Sequence, residues 1–311
     1  LRRQRQMCIR DSTMMVSNVG SAALSAVSLV DSINVLLIQA FSALAAGGAI
    51  VCAQYIGQRN YEKANMSARQ VLFIITAISV VVSAVCLIFQ KPLLRLIFGA
   101  VDADVMRASE TYFFFTALSF PFIAAYDSAA SIFRAQENTK GPMTISMISN
   151  IMNIGGNAVL IWVFHLGVAG AAISTLVSRI FCAVVVLWQL RKDRQPVVVK
   201  DYLKIRPDWS MIGRILGLGI PSGIENSMFQ LGKLAIQSTV STLGTAAIAA
   251  QAMTNILENL NGIAAIGVGV GLMTIVGQCL GAGRKDEAVY YIKKLCVIAE
   301  AVICLLYTSD A

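Results

Sequence analysis

The sequence predicts an all-α polytopic membrane protein built from a duplicated helical bundle, and three observations carry that prediction. Only 14% of the 311 residues are charged and 57% are hydrophobic, where soluble domains usually carry roughly 25% charged residues. Apolar tracts long enough to cross a bilayer recur along most of the chain. A stretch from Asn18, NVGSAALSAVSLVDSINVLL, returns at a gapless offset of 224 residues as TLGTAAIAAQAMTNILENLN from Thr242.

Taken in order, the elements begin with LRRQRQMCIRDS, which is basic, non-periodic, and neither a signal peptide nor a span. Residues 1–12, and LYTSDA at 306–311, read as non-native read-through, so the chain is expected to be a fragment truncated at both ends. A stub of a first helix covers 13–19. Full spans follow near 26–56, 71–90, 112–133, 143–164, 167–190, 215–242 and 246–277, and a ninth helix starts near 288. The clearest is VLFIITAISVVVSAVCLIF, 71–89, nineteen positions without a charge, close to the roughly 20 that a helix needs to cross the hydrocarbon core. Trp162 and Trp188, near opposite ends of successive spans, suit the two interfacial belts.

The net charge of +8 reports topology. Loops on one side hold sixteen Lys and Arg residues and the alternate loops hold three, Lys91, Arg95 and Arg107. By the positive-inside rule the 191–214 linker is cytoplasmic, and nucleic acid is not needed to explain the charge. Cys52, Cys86, Cys182, Cys296 and Cys304 lie singly in apolar tracts and His165 is the one histidine. The cysteines therefore read as packing residues, and no HExxH-type metal chemistry or enzyme is indicated.

Within the repeat, Gly20/Gly244, Ala22/Ala246, Ala23/Ala247 and Ala26/Ala250 are identical, and the register holds through Gly47/Gly271, Gln54/Gln278, Gly57/Gly281 and Ala64/Ala288. Six spans separate the copies. An even number gives both the same orientation, a parallel repeat of the kind that places a substrate path between two halves.

The motifs NVGSAALSAV, QYIGQRNYEKA, IFRAQENTKGPM, SNIMNIGGNAVLI, LGVAGAAISTLVSR, LGLGIPSGIENSMFQLGK and GQCLGAGRKDEA occur in an order and spacing that resembles the multidrug and toxic compound extrusion (MATE) family of cation-coupled efflux antiporters. The resemblance implies a two-lobe architecture of six plus six helices around a central cavity. Residues 13–190 would form the first lobe, 191–214 the linker, and 215–305 the start of the second lobe. It implies export of small organic cations or drugs against H⁺ or Na⁺, with no other cofactor. The setting would be the inner (plasma) membrane, the working unit a monomer in the lipid bilayer.

Polar residues at membrane depth are functional candidates because they are costly there. In the seventh helix, about 100° per residue puts Ser222, Glu225, Asn226, Gln230, Lys233 and Gln237 within a wedge of roughly 140°, with Ile224, Met228 and Leu231 opposite. One face would meet lipid or protein and the other the ion and substrate pathway. Pro221 also frees a carbonyl there. The family's acid falls one turn later, where this chain has Phe229. Glu225 and Lys233 pairing with each other or with neighbouring helices is the simpler alternative.

On the eighth helix Gln251, Asn255 and Glu258 form a stripe at i, i+4, i+7, and their repeat mates are Val27, Asp31 and Asn34. These read as pathway residues or as polar glue between helices. On the fifth helix Ser146, Asn150, Asn153 and Asn157 share a face. By the resemblance, Asn153 and Asn157, with Thr175 and Tyr112, match a first-lobe cation site in which the position of Asn157 is often an aspartate. Na⁺ at Asn153, Asn157 and Thr175 is the expected occupant, with less charge to hold it. Asp127 and Arg179 are expected to seal an ion pair within the lobe. A flippase for a lipid-linked oligosaccharide or similar amphiphile is the nearest rival, but it would want a cavity lined by arginines. A scaffold or receptor would not need acids on polar stripes in both halves.

Overall fold

The structure, a computed structural model, describes residues 21–98, 103–192, 195–199, 207–241, 254, 262 and 266–308. Its regular elements are helices: α1 (Ser21–Gly57), α2 (Tyr61–Ile88), α3 (Gln90–Phe98), α4 (Ala103–Leu118), α5 (Phe120–Ala135), α6 (Lys140–Ala158), α7 (Gly167–Leu190), α8 (Trp209–Ser241), α9 (Ile266–Gly281) and α10 (Lys285–Thr308). Helices α1, α2, α6 and α7 are long and apolar enough to cross a membrane, as is the bent pair α4–α5. Helix α8 is long enough at 33 residues but is not among them, because its polar stripe interrupts the apolar run. The expected eighth span, 246–277, lies largely outside the described residues.

Helix α1 is the centre of the first bundle and packs on α2, α4, α5 and α8. Its residues at alternating spacings of four and three, Val27, Asp31, Asn34, Ile38, Phe41 and Ala45, are all buried. That spacing keeps one face of a helix turned the same way, here into a core shared with Ile75, Phe113, Phe120 and Phe133. Phe41 and Phe120 meet edge to face, with ring centroids 6.2 Å apart.

The span expected over 112–133 is broken. Helices α4 and α5 meet at Ser119 with a 42° bend, and Pro121 sits in the first turn of α5. Proline has no N–H to give to the residue four positions back, so the Ala117 carbonyl loses its helical partner. The hydroxyl of Ser83 on α2 supplies the replacement, donating to the Ala117 oxygen at 2.8 Å. A bend inside a membrane survives only when neighbouring groups re-satisfy the backbone in this way.

Helix α6 ends in a π turn over Val159–Val163, where the Phe164 N–H donates to the Val159 carbonyl at 3.1 Å. The linker begins docked on the first bundle: the Val197 N–H donates to Gln136 Oε1 at 3.1 Å, and the Val198 N–H to Asn65 Oδ1 at 2.8 Å.

The repeat is visible in the backbone. After α1, the N–H groups of Gln58, Arg59 and Asn60 donate to the carbonyls of Gln54, Ile56 and Tyr55. After α9, those of Ala282, Gly283 and Arg284 donate to Gln278, Leu280 and Cys279, each pair shifted by the same 224 residues. Arg59 (φ 57°) and its mate Gly283 (φ 76°) both take the left-handed conformation that ends each helix.

The two halves touch at these ends, on the side of the linker. Gly57 lies against the Gln278 carbonyl and Gly281 against the Gln54 carbonyl, so closely that neither site has room for a Cβ. A Cβ on Gly277 would come within 3.0 Å of that of its mate Ala53, so the pseudo-twofold relation runs through this crossing. Gln278 Nε2 also donates to the Ala135 carbonyl at 3.1 Å, and Arg214 Nη1 to the Tyr55 hydroxyl at 3.0 Å. Further along, α8 crosses α1 where Gly219 meets Gly47.

Candidate functional site

Asp31 is 7% exposed and Asn34 1%; both lie on the face of α1 that points into the first bundle. The Tyr112 hydroxyl, reaching in from α4, donates to Asp31 Oδ1 at 3.1 Å, and Asn34 Nδ2 donates to the same oxygen at 3.3 Å. Asp31 Oδ2 and Asn34 Oδ1 are buried without a hydrogen-bond partner. Arg179 Nη1 donates to Ser119 Oγ at 2.6 Å, and Ser119 Oγ donates to the Thr116 carbonyl at 2.6 Å. The guanidinium is thereby tied to the α4–α5 bend, and Asp127 is buried on α5.

Between α6 and α7 lies a neutral network. Asn153 and Asn157 are fully buried. Asn153 Nδ2 donates to Thr175 Oγ1 at 3.4 Å and Ser174 Oγ at 3.5 Å; Asn157 Nδ2 donates to Asn153 Oδ1 at 3.2 Å. Ser174 Oγ donates to the Asn153 carbonyl at 2.9 Å, and Thr175 Oγ1 to that of Ala171 at 2.9 Å. Asparagine and hydroxyl oxygens suit a hard cation such as Na⁺. In this arrangement, however, the Asn153 side-chain oxygen is already engaged. The structure thus brings Asn153, Asn157 and Thr175 together and places the Tyr112 hydroxyl on Asp31.

On α8, Asn226, Gln230 and Lys233 are partly buried and Glu225, at the edge of their stripe, is exposed. Gly219 and Gly223 on the same side face α1, so the polar stripe continues the surface that packs against the first bundle. Ile224, Met228 and Leu231 on the opposite face are 56%, 67% and 57% exposed. Lys233 Nζ sits 5.0 Å from the centre of the Phe229 ring. Gln251, Asn255 and Glu258 lie outside the described residues.

Sequence reasoning placed Asp31 and Tyr112 in separate sets, and it did not single out Ser83 or Ser119. The signal for Ser119 was present: Pro121 two positions on marks a helix interruption.

Comparison with known proteins extends these observations. The family model for MatE matches residues 11–159 and 221–308. The probable multidrug resistance protein YoeA of Bacillus subtilis is 27% identical over 277 residues, covering 86% of this chain and 59% of its own length. The probable multidrug resistance protein NorM of Thermotoga maritima is 24% identical over 289 residues, covering 91% and 61%. A solved structure described as the outward-facing conformation of a multidrug resistance MATE family transporter of the MOP superfamily superposes with a TM-score of 0.87. It does so at 18% identity, over 99% of this chain and 67% of that one. The chain therefore spans about three fifths of the length of these curated relatives. These relatives and neighbours are transporters, not enzymes, and the fold they share is a two-lobe, multi-pass helical one. With one matched block in each of the duplicated halves and well over half of its residues covered, the chain belongs to the MatE family.

Proposed function

We propose that the protein exports small organic cations or drugs by antiport against H⁺ or Na⁺, its two lobes rocking so that a path between them opens to one side at a time. The observation that carries this reading is the pair of close backbone crossings between the halves among the described residues. Backbone meets backbone where Gly57 and Gly281 cross on the linker side, whereas the polar stripe of α8 beyond its own crossing is only partly buried. Two bodies hinged in this manner can exchange which end is closed. Family membership supports the same reading, as do relatives named for multidrug resistance.

In this proposal Glu225, Asn226, Gln230 and Lys233, with Gln251, Asn255 and Glu258, line the path. Asp31, Tyr112, Asn153, Asn157 and Thr175 serve the first-lobe ion. In this reading the protein works as a monomer in the inner (plasma) membrane. The excess of sixteen basic loop residues over three supports a cytoplasmic 191–214 linker. An ion drives such a cycle only through a different affinity for the two states, which calls for at least one carboxylate whose occupancy changes. The test is Glu225→Gln in the full-length protein: ethidium efflux from cells should be abolished while membrane insertion stays intact, and unchanged efflux would refute the assignment.

A further inference from the structure

We infer that Gln278 is a positioning residue for the switch between facing states: its side-chain amide caps α5 of the opposite half while the linker side is closed, and releases it when that side opens. Two facing states belong to the transport reading, on which this rests; the group that sets the balance between them is what the structure adds.

The last carbonyls of an α-helix have no partner within it. In α5 the turn that follows serves most of them. The Gln136 N–H donates to the Ile132 and Phe133 carbonyls at 3.2 Å each, the Glu137 N–H to that of Arg134 at 2.9 Å and the Asn138 N–H to that of Phe133 at 3.0 Å. Glu137 takes the left-handed conformation, φ 62°, that closes such a turn. Among the described residues, the donor to the remaining carbonyl, that of Ala135, comes from the other half: it is Gln278 Nε2 on α9, 3.1 Å away. One turn earlier on α9, Thr274 Oγ1 donates to the Arg134 carbonyl at 3.4 Å. That oxygen already has Glu137, and the hydroxyl is equally far from the Val270 carbonyl of its own helix. Gln278 is therefore the contact on which α5 depends.

Gln278 also stands at the crossing itself. Its backbone carbonyl lies against Gly57 at the end of α1 while its side chain reaches α5, so one residue touches two helices of the first half. The next residue of the α5 corner, Gln136, holds the linker through its Oε1 and the Val197 N–H, and Val197 and Val199 are fully buried there. The corner is thus gripped by α9 at Ala135 and by the covalent path into the second half at Gln136. When the halves part on this side the Gln278 bond has to break, and water takes its place as donor to the Ala135 carbonyl. Exchanging one donor for another makes the bond a bias and not a lock: it shifts the closed-to-open ratio by about 2- to 12-fold, a size that suits a step reversed in every cycle.

Spin labels at the exposed residues Gln58 and Arg284, in the full-length protein, read the closed fraction as a distance distribution. Gln278→Leu, close in size but without a donor, should lower the closed-to-open ratio about 2- to 12-fold. Gln278→Glu, an isostere whose carboxylate only accepts at neutral pH, should lower it at least as far. Gln278→Lys, which keeps a donor on a flexible chain, should stay near wild type, and Thr274→Val should move the ratio less than Gln278→Leu. The Glu and Lys variants decide the matter if Gln278→Leu does not fold, and they separate the cap from charge. An ion pair between the new carboxylate and Arg134 would give the reverse order, a closed Glu variant and an open Lys variant, and that order overturns the proposal. So do equal closed fractions in wild type, Gln278→Leu and Gln278→Glu. Ethidium efflux from vesicles made with the same protein separates the two readings. Efflux with a closed fraction indifferent to residue 278 removes the cap and leaves transport, whereas a closed fraction that follows residue 278 without efflux keeps the cap and sinks transport.

Discussion

Replacing Gly57 or Gly281 by alanine should prise the linker side of the molecule open. In each case the new methyl would be driven into a backbone carbonyl of the opposite helix, that of Gln278 or Gln54, and a carbonyl cannot rotate away as a side chain can. Carbon and oxygen do not pack closer than about 3.3 Å even in weak C–H···O contacts, so the helices must part by about an ångström. Overpacking of this kind costs about 1–3 kcal/mol, and at 1.4 kcal/mol per factor of ten the closed form should lose about 5- to 150-fold in population. Because each methyl strikes the same crossing, the double variant should cost less than the sum of the two singles. Spin labels at the exposed residues Gln58 and Arg284, in full-length protein, would report the separation as a distance distribution. Gly217→Ala is the control, since a Cβ there meets nothing within 4 Å. A distribution in Gly57→Ala and Gly281→Ala that matches Gly217→Ala would refute the reasoning.

Two further expectations concern stability. Ser83→Ala should cost about 1–3 kcal/mol, the penalty for a buried carbonyl left unpaired; in a Pro121→Ala background, which restores the helical donor to Ala117, the loss should largely vanish, and thermal unfolding in detergent of the four combinations measures the difference. Phe41→Ala, which empties a site against Phe120 that is only 2% exposed, should cost about 3–5 kcal/mol; a drop of less than about 1 kcal/mol in the same assay would mean that α1 is not packed as described.

The helical architecture was legible because hydropathy and turn chemistry act locally. The apolar tract at 71–89, the GQRN turn after Gly57 and the basic loops each announce themselves within a short window. The repeat was legible for a different reason, an unbroken register, and the backbone hydrogen bonds at Gln58–Asn60 and Ala282–Arg284 reproduce it bond for bond. Helix ends were less so. Helix α2 starts at Tyr61, ten residues before the apolar tract, since hydropathy marks the part in lipid and not the part that continues into water. The polar face of α8 followed from 100° geometry. The partnership of Asp31 with Tyr112, 81 residues away, did not, since nothing in either segment says which helices of a bundle are neighbours. Ser83 escaped notice because a lone hydroxyl in an apolar run looks like small-residue packing until the carbonyl that it serves is seen.

The crossing of Gly57 and Gly281 has an evolutionary corollary. The two glycines descend from one ancestral position, and each rests on the residue that is the other's neighbour in its own copy, as happens at the dyad of a symmetric dimer. Neither lineage can acquire a side chain there unless its twin retreats, so duplication has left these sites yoked. Earlier in the two copies the sequences have diverged, and one holds Asp31 where its sibling holds Asn255.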